Sequence, residues 1–256
     1  MVRTVETFSA MWWQTSGATI MFTLLVLVTI RVLKPSQRDL YAKALGWVLL
    51  LWMVIPPLIH AFAGYWHVDY GLPLQWCDFT GGIAGLALLT RRQLLYEMSL
   101  FWGITGASTA LLTPQFTQGV TWFFLAEFFV SHSMLLTAPL LLSIYGNMRP
   151  RAWSWLGALV WLNVVALVVG AFNYVVSANY MFLFEAPTAD MPLFKIQWPY
   201  YLIGFEIGCL IIFMFIYLSF RATGRGEVNT NPNKNNTVPV QMEYSVPSAA
   251  DRSEVR

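Results

Sequence analysis

Gly71-Leu72-Pro73-Leu74-Gln75-Trp76-Cys77-Asp78-Phe79-Thr80-Gly81-Gly82-Ile83-Ala84-Gly85 opens a segment that runs apolar to Leu89 and stops at Arg91-Arg92. Asp78 is the one formal charge between Leu72 and Leu89. A run of that length and hydrophobicity reads as a membrane helix rather than a soluble core element. Cys77, Gly81 and Gly85 recur at i, i+4 and share a helical face. Such a Gly-x-x-x-Gly stripe admits a second helix at close range.

The rest of the chain repeats the theme. Its 256 residues are 57% hydrophobic and 11% charged, against roughly 25% charged in soluble domains. The predicted fold is all-α: a polytopic, seven-transmembrane-helix bundle. The spans read as Trp13–Ile30, Leu45–Ala63, Leu72–Leu89, Leu95–Leu112, Thr121–Tyr145, Trp153–Tyr174 and Tyr200–Phe220. Only helices that satisfy their own backbone, or closed barrels, cross a bilayer. Residues 1–12 form a short external N-terminus, 13–220 the transmembrane domain, and 221–256 a polar, Asn-rich tail that buries too little surface to fold and is expected to be disordered.

Charge orients the bundle. Arg31, Lys34, Arg38 and Lys43 follow the first span, Arg91 and Arg92 the third, Arg149 and Arg151 the fifth, and Arg221 and Arg225 the seventh. The alternate connections carry only Lys195. Under the positive-inside rule the N-terminus is outside and the C-terminus cytoplasmic. The formal net charge of +2 reports topology and implies no nucleic-acid partner. The localisation is an integral protein of the cell membrane. Two cysteines in apolar spans define no disulfide framework. No P-loop, dinucleotide fingerprint or metalloprotease motif is present, so neither a cofactor nor a metal is expected.

Polar residues inside spans mark function. Counted up from the arginine anchors, Cys77, His132, Glu206, Asn163 and the Ser16-Gly17 pair fall at one height, about 21 Å above the cytoplasmic boundary at 1.5 Å per residue. Cys209 has no polar company and reads as core. Glu97, near the cytoplasmic interface, reads as structural, and His60 after Pro56-Pro57 as the end of a kinked helix. Glu127 lies about 140° around its helix from His132. Asn179 sits in an outer loop with interfacial aromatics.

The quoted stretch, with Leu95-Tyr96-Glu97, Phe101-Trp102-Gly103-Ile104, Leu111-Leu112-Thr113-Pro114, Phe128-Phe129-Val130-Ser131-His132 and Asn179-Tyr180-Met181-Phe182-Leu183, resembles the YwaF-like integral membrane protein family across residues 45–218. That family is distantly similar to the transmembrane protein 164 acyltransferase, a phospholipid-remodelling enzyme that works with a cysteine and a histidine and resembles the androgen-induced hydrolases. The resemblance implies catalytic roles for Cys77 and His132. Gln75 stands where the family carries histidine, and Gln115 where aspartate is expected.

The resulting expectation is a thiol-dependent phospholipid acyltransferase or lipid hydrolase forming an acyl-enzyme on Cys77. Its partners are membrane phospholipid or lysophospholipid. Glu206 or Asp78 would orient His132, with Gln75, Asn163 and Asn179 in the pocket and the helix of the organising segment starting near Pro73. The alternative is a non-catalytic seven-helix protein that binds or transports a lipid or solute.

Overall fold

A computed structural model describes residues 3–62, 64, 66–116, 122–187 and 192–222. The polar tail from residue 223 onward lies outside the described residues.

The chain is helical almost throughout. α1 (Ala10–Val32) is capped by the Ser9 hydroxyl, which accepts from the Trp12 N–H. α2 (Pro35–Trp52) begins on Pro35, whose missing N–H costs nothing in a first turn. α3 (Ile55–Phe62) continues it after a break at Met53-Val54, just ahead of Pro56-Pro57. α4 (Trp76–Thr90) is the organising segment. α5 (Gln93–Met98), a π-helical turn (Ser99–Gly103) and α6 (Ile104–Leu112) form one continuous element. α7 (Trp122–Ile144), α8 (Ser154–Val176) and α9 (Tyr200–Ala222) complete the set. Among the described residues five helices are long and apolar enough to span a bilayer: Ala10–Val32, Pro35–Phe62, Leu125–Ile144, Ser154–Val176 and Tyr200–Arg221. Ile20, Leu24, Val28, Val164, Leu167, Ile203, Ile207 and Ile211 are exposed on their outer faces, as lipid contact requires.

α4 departs from expectation at its start. It begins at Trp76 rather than near Pro73, and at 15 residues it covers only about 22 Å. The cause is local. The Leu74 N–H turns back to the Leu72 carbonyl, and the Leu72 N–H is taken by the Tyr180 hydroxyl. Gln75 is therefore the extended N-cap, and Cys77 is the second helical residue.

The core centres on α4, the π turn and α7. A Cβ at Gly46 of α2 would stand 2.9 Å from the Gly85 carbonyl oxygen, and the converse distance is the same. Gly82, three residues before Gly85, takes Met53. The glycine face toward α2 is thus Gly82 and Gly85, whereas Gly81 looks toward Leu135 of α7. The expected i, i+4 stripe is split because α4 is central and has neighbours on several sides. On the far side, a Cβ at Gly103 would lie 2.7 Å from the Leu135 carbonyl oxygen. That carbonyl has no i+4 donor, because Pro139 carries no N–H. The π turn brings Gly103 against it.

The N-terminal residues are not a free arm. Residues 3–4 (β1) pair antiparallel with Gln115–Phe116 (β2). The Thr7 hydroxyl donates to the Leu112 carbonyl, and the Trp12 indole N–H to the carbonyls of Leu111 and Leu112. Val5 and Trp12 pack with Leu125 and Phe129, strapping the segment over the junction of α6 and α7.

Candidate functional site

Cys77 occupies the first turn of α4, where backbone N–H groups lack intrahelical acceptors and the macrodipole favours negative charge. Its half-buried thiol points at α6: Sγ lies 3.5 Å from the Cβ position of Gly106. The Trp76 indole borders the same point, with Nε1 at 3.8 Å. That indole N–H is buried and has no hydrogen-bond partner. Its ring meets Phe205 of α9 edge-on, with centroids 5.4 Å apart. A thiol and an unused donor therefore meet over Gly106.

Three sequence-predicted residues hold this end of α4 in place. The Gln75 N–H donates to the Asp78 carboxylate at 3.2 Å, one half of a capping box. The Gln75 side-chain carbonyl accepts the Met181 N–H at 2.9 Å. Asn179 folds the following turn, accepting the N–H groups of Phe184 and Glu185 and donating to the Glu185 carbonyl. Sequence reasoning missed the residues that lock this loop. Asn173, fully buried, donates to the Tyr180 carbonyl and accepts the Tyr180 N–H. The Tyr180 hydroxyl accepts from Leu72 and donates to the Val68 carbonyl. Burial raises the Tyr180 phenol pKa, opposed by the Leu72 N–H. The Tyr201 hydroxyl donates to the Phe182 carbonyl. An asparagine near the end of an apolar helix was the available signal, and it reads equally well as a plain cap.

His132 is buried on α7, and Nδ1 lies 2.7 Å from the Phe128 carbonyl oxygen and 3.3 Å from the Ser131 hydroxyl. A carbonyl only accepts, so Nδ1 carries the proton and Nε2 keeps its lone pair. The ring lies tilted against Phe128, with centroids 4.2 Å apart and planes at 34°. One turn back along α7 from Leu135 is His132, and one turn along α6 from Gly103 is Gly106. The Gly103–Leu135 crossing thus brings His132 to the level of Gly106 and Cys77. No hydrogen bond joins Cys77 to His132. Glu127 is within electrostatic range of Asp78.

The polar pair assigned to orienting His132 is engaged elsewhere. The Glu206 carboxylate accepts from Asn163 Nδ2 at 2.5 Å, across an exposed crevice between α8 and α9. Asp78 caps its own helix. The hydrogen bond that holds the His132 ring is to the Phe128 carbonyl, a backbone group that sequence spacing does not reveal. Gln115 contributes its backbone to β2. Among the described residues no group of three or more His, Cys, Asp or Glu could hold a metal ion.

At the arginine-rich end a second polar centre forms. Glu97 is 3% exposed and accepts from the Arg151 backbone N–H and guanidinium, with Nη2 at 2.7 Å. Gln93 Nε2 donates to Glu97 and to the Arg149 carbonyl. Donating to the Glu97 carboxylate raises the Arg151 pKa further.

The model of the TMEM164 family matches residues 5–217, and the chain belongs to that family. No curated protein and no solved structure matches the chain.

Proposed function

We propose that, as a member of the TMEM164 family and of its YwaF-like branch, this chain is a seven-span, thiol-dependent lipid acyltransferase or acyl hydrolase of the cell membrane. Cys77 is its nucleophile and His132 its general base. The observation that carries the reading is the juxtaposition of the Cys77 thiol with the unpartnered Trp76 indole N–H, at the N-terminus of α4. In this reading α4 and the α5–α6 element complete the bilayer crossings begun by the five long helices. The N-terminus is external, the tail from residue 221 is cytoplasmic, and the site opens toward the outer leaflet.

The chemistry follows from the groups present. His132 Nε2 takes the thiol proton, and the thiolate attacks the carbonyl carbon of an acyl ester. A C–S bond forms, the ester C–O bond breaks, and the imidazolium returns its proton to the departing lysolipid oxygen. The Trp76 N–H and the first-turn N–H of Cys77 are the donors for the oxyanion of the tetrahedral intermediate. A lysolipid hydroxyl or water then attacks the thioester, giving its proton to Nε2 and regenerating the thiol. Which acceptor is used separates transferase from hydrolase. Gln75, Asn179 and Asp78 act as positioning residues for this end of α4.

Incubating the purified protein with a phospholipid labelled in its acyl chain tests the reading. The expected product is a hydroxylamine-sensitive adduct on Cys77, absent in Cys77→Ala and present in Cys209→Ala. His132→Ala matches Cys77→Ala, and the double variant is no worse than either, since residues acting as a unit are non-additive. Unchanged lipid turnover in Cys77→Ala excludes covalent catalysis and favours a non-catalytic lipid-binding or transport protein.

A further inference from the structure

At the end of the helices opposite Cys77, a cavity of about 360 Å3 opens between α5 and α8. Leu94 and Met98 form an apolar wall, and Arg151, Ser154, Gly157 and Trp161 face them. The cavity also holds an ion pair. Glu97 neutralises Arg151. Arg149, close in sequence, does not line the cavity: its Nη1 donates to the Ser143 and Met148 carbonyls. The Glu97–Arg151 pair sits at the positive end of α8, a 23-residue helix.

Ser154 is the second, independent sign. It is the first residue of α8 and only 8% exposed, and its hydroxyl is buried with no partner. A buried hydroxyl left unmatched is costly, and on a cavity wall a ligand oxygen would satisfy it. Arg151 keeps half its side chain exposed and uses Nε and Nη2, not Nη1, on Glu97.

We propose that this cavity binds one anionic phospholipid. The phosphate sits at the N-terminus of α8 against Ser154 Oγ and Arg151 Nη1, and an acyl chain lies along Leu94, Met98 and Trp161. The Ser154, Leu156 and Gly157 N–H groups already donate to the Arg151 and Trp153 carbonyls, so the helix contributes its dipole and the side chains supply the donors. The apolar wall selects a lipid over a free phosphate. The positive end of α8 and the unused Arg151 Nη1 favour a headgroup with no added cation. The site is remote from Cys77 and does not depend on acyl transfer.

The test uses the full chain in neutral detergent, with thermal unfolding read after adding phosphatidylglycerol, phosphatidylcholine, glycerol phosphate or inorganic phosphate. A ligand that binds only the folded state raises its melting temperature. Phosphatidylglycerol raises it well above phosphatidylcholine, and both soluble phosphates leave it unchanged. Gly157→Leu abolishes the increment by filling the cavity. No atom lies within 4 Å of a Cβ at that position, so the lipid-free melting temperature stays at the parent value. Ser154→Ala raises lipid-free stability, by removing an unmatched hydroxyl, yet loses at least half the lipid increment. An equal rise with phosphatidylcholine, an undiminished rise in Gly157→Leu, or an equal rise with inorganic phosphate overturns the proposal.

Discussion

Gly46 of α2 and Gly85 of α4 meet backbone to backbone, each denying the other a side chain: a Cβ on either would stand 2.9 Å from the opposing carbonyl oxygen. Membrane helices lack a hydrophobic drive to associate and depend on such close packing. Because α4 carries Cys77 at its other end, this contact fixes the height of the thiol as well as the fold.

Gly85→Ala and Gly46→Ala are therefore each expected to destabilise by roughly 1–3 kcal/mol, the usual range for overpacking. Gly208→Ala, which meets no atom within 4 Å, stays within about 0.5 kcal/mol. Thermal or steric-trap unfolding in detergent measures the difference. Equal tolerance at Gly85 and Gly208 would contradict the contact.

The Glu97–Arg151 pair is asymmetric, and so are its variants. The carboxylate is 3% exposed and the guanidinium side chain 50%. Arg151→Gln strands a buried charge and is expected to cost roughly 3–5 kcal/mol. Glu97→Gln leaves a half-exposed cation that water can reach, and costs less. The order of the two unfolding midpoints decides the matter, and a double variant that recovers stability over Arg151→Gln supports the cause.

Trp76→Phe removes the indole N–H and keeps the ring packed on Phe205. If that N–H receives the oxyanion, turnover of labelled phospholipid falls about 100-fold, the lower end of the range for one lost donor. Alkylation of Cys77 by a small maleimide, which needs no oxyanion donor, proceeds at the parent rate. A parallel loss in both assays would mean that the ring only shapes the pocket.

The orientation has a direct check. A reporter fused after Arg256 is expected in the cytoplasm, and an epitope before Met1 is expected to be reachable from outside intact cells. The reverse pattern would move Cys77 to the cytoplasmic leaflet and the Arg151 cavity to the outer one.

The sequence by itself determined that this is a helical membrane protein. The five long apolar helices follow from hydropathy alone, since a bilayer imposes length and backbone satisfaction on each segment separately. It also placed Cys77 near a helix N-terminus and gave Glu97 a structural part. What it did not contain were relations between segments. Gly82 rather than Gly81 joins Gly85 against α2, because which face of α4 each neighbour takes depends on the whole set of helices. Residue counting sets Glu206 and Asn163 beside Cys77, yet they bond to each other, because a count along a span says nothing about azimuth. The Nδ1 proton of His132 is set by the Phe128 backbone carbonyl, a group every residue carries and no motif can mark. The delayed start of α4 is decided by Tyr180, more than a hundred residues downstream, whose hydroxyl takes the Leu72 N–H. One-dimensional patterning fixes what each segment is; which groups meet is decided by close packing in three dimensions.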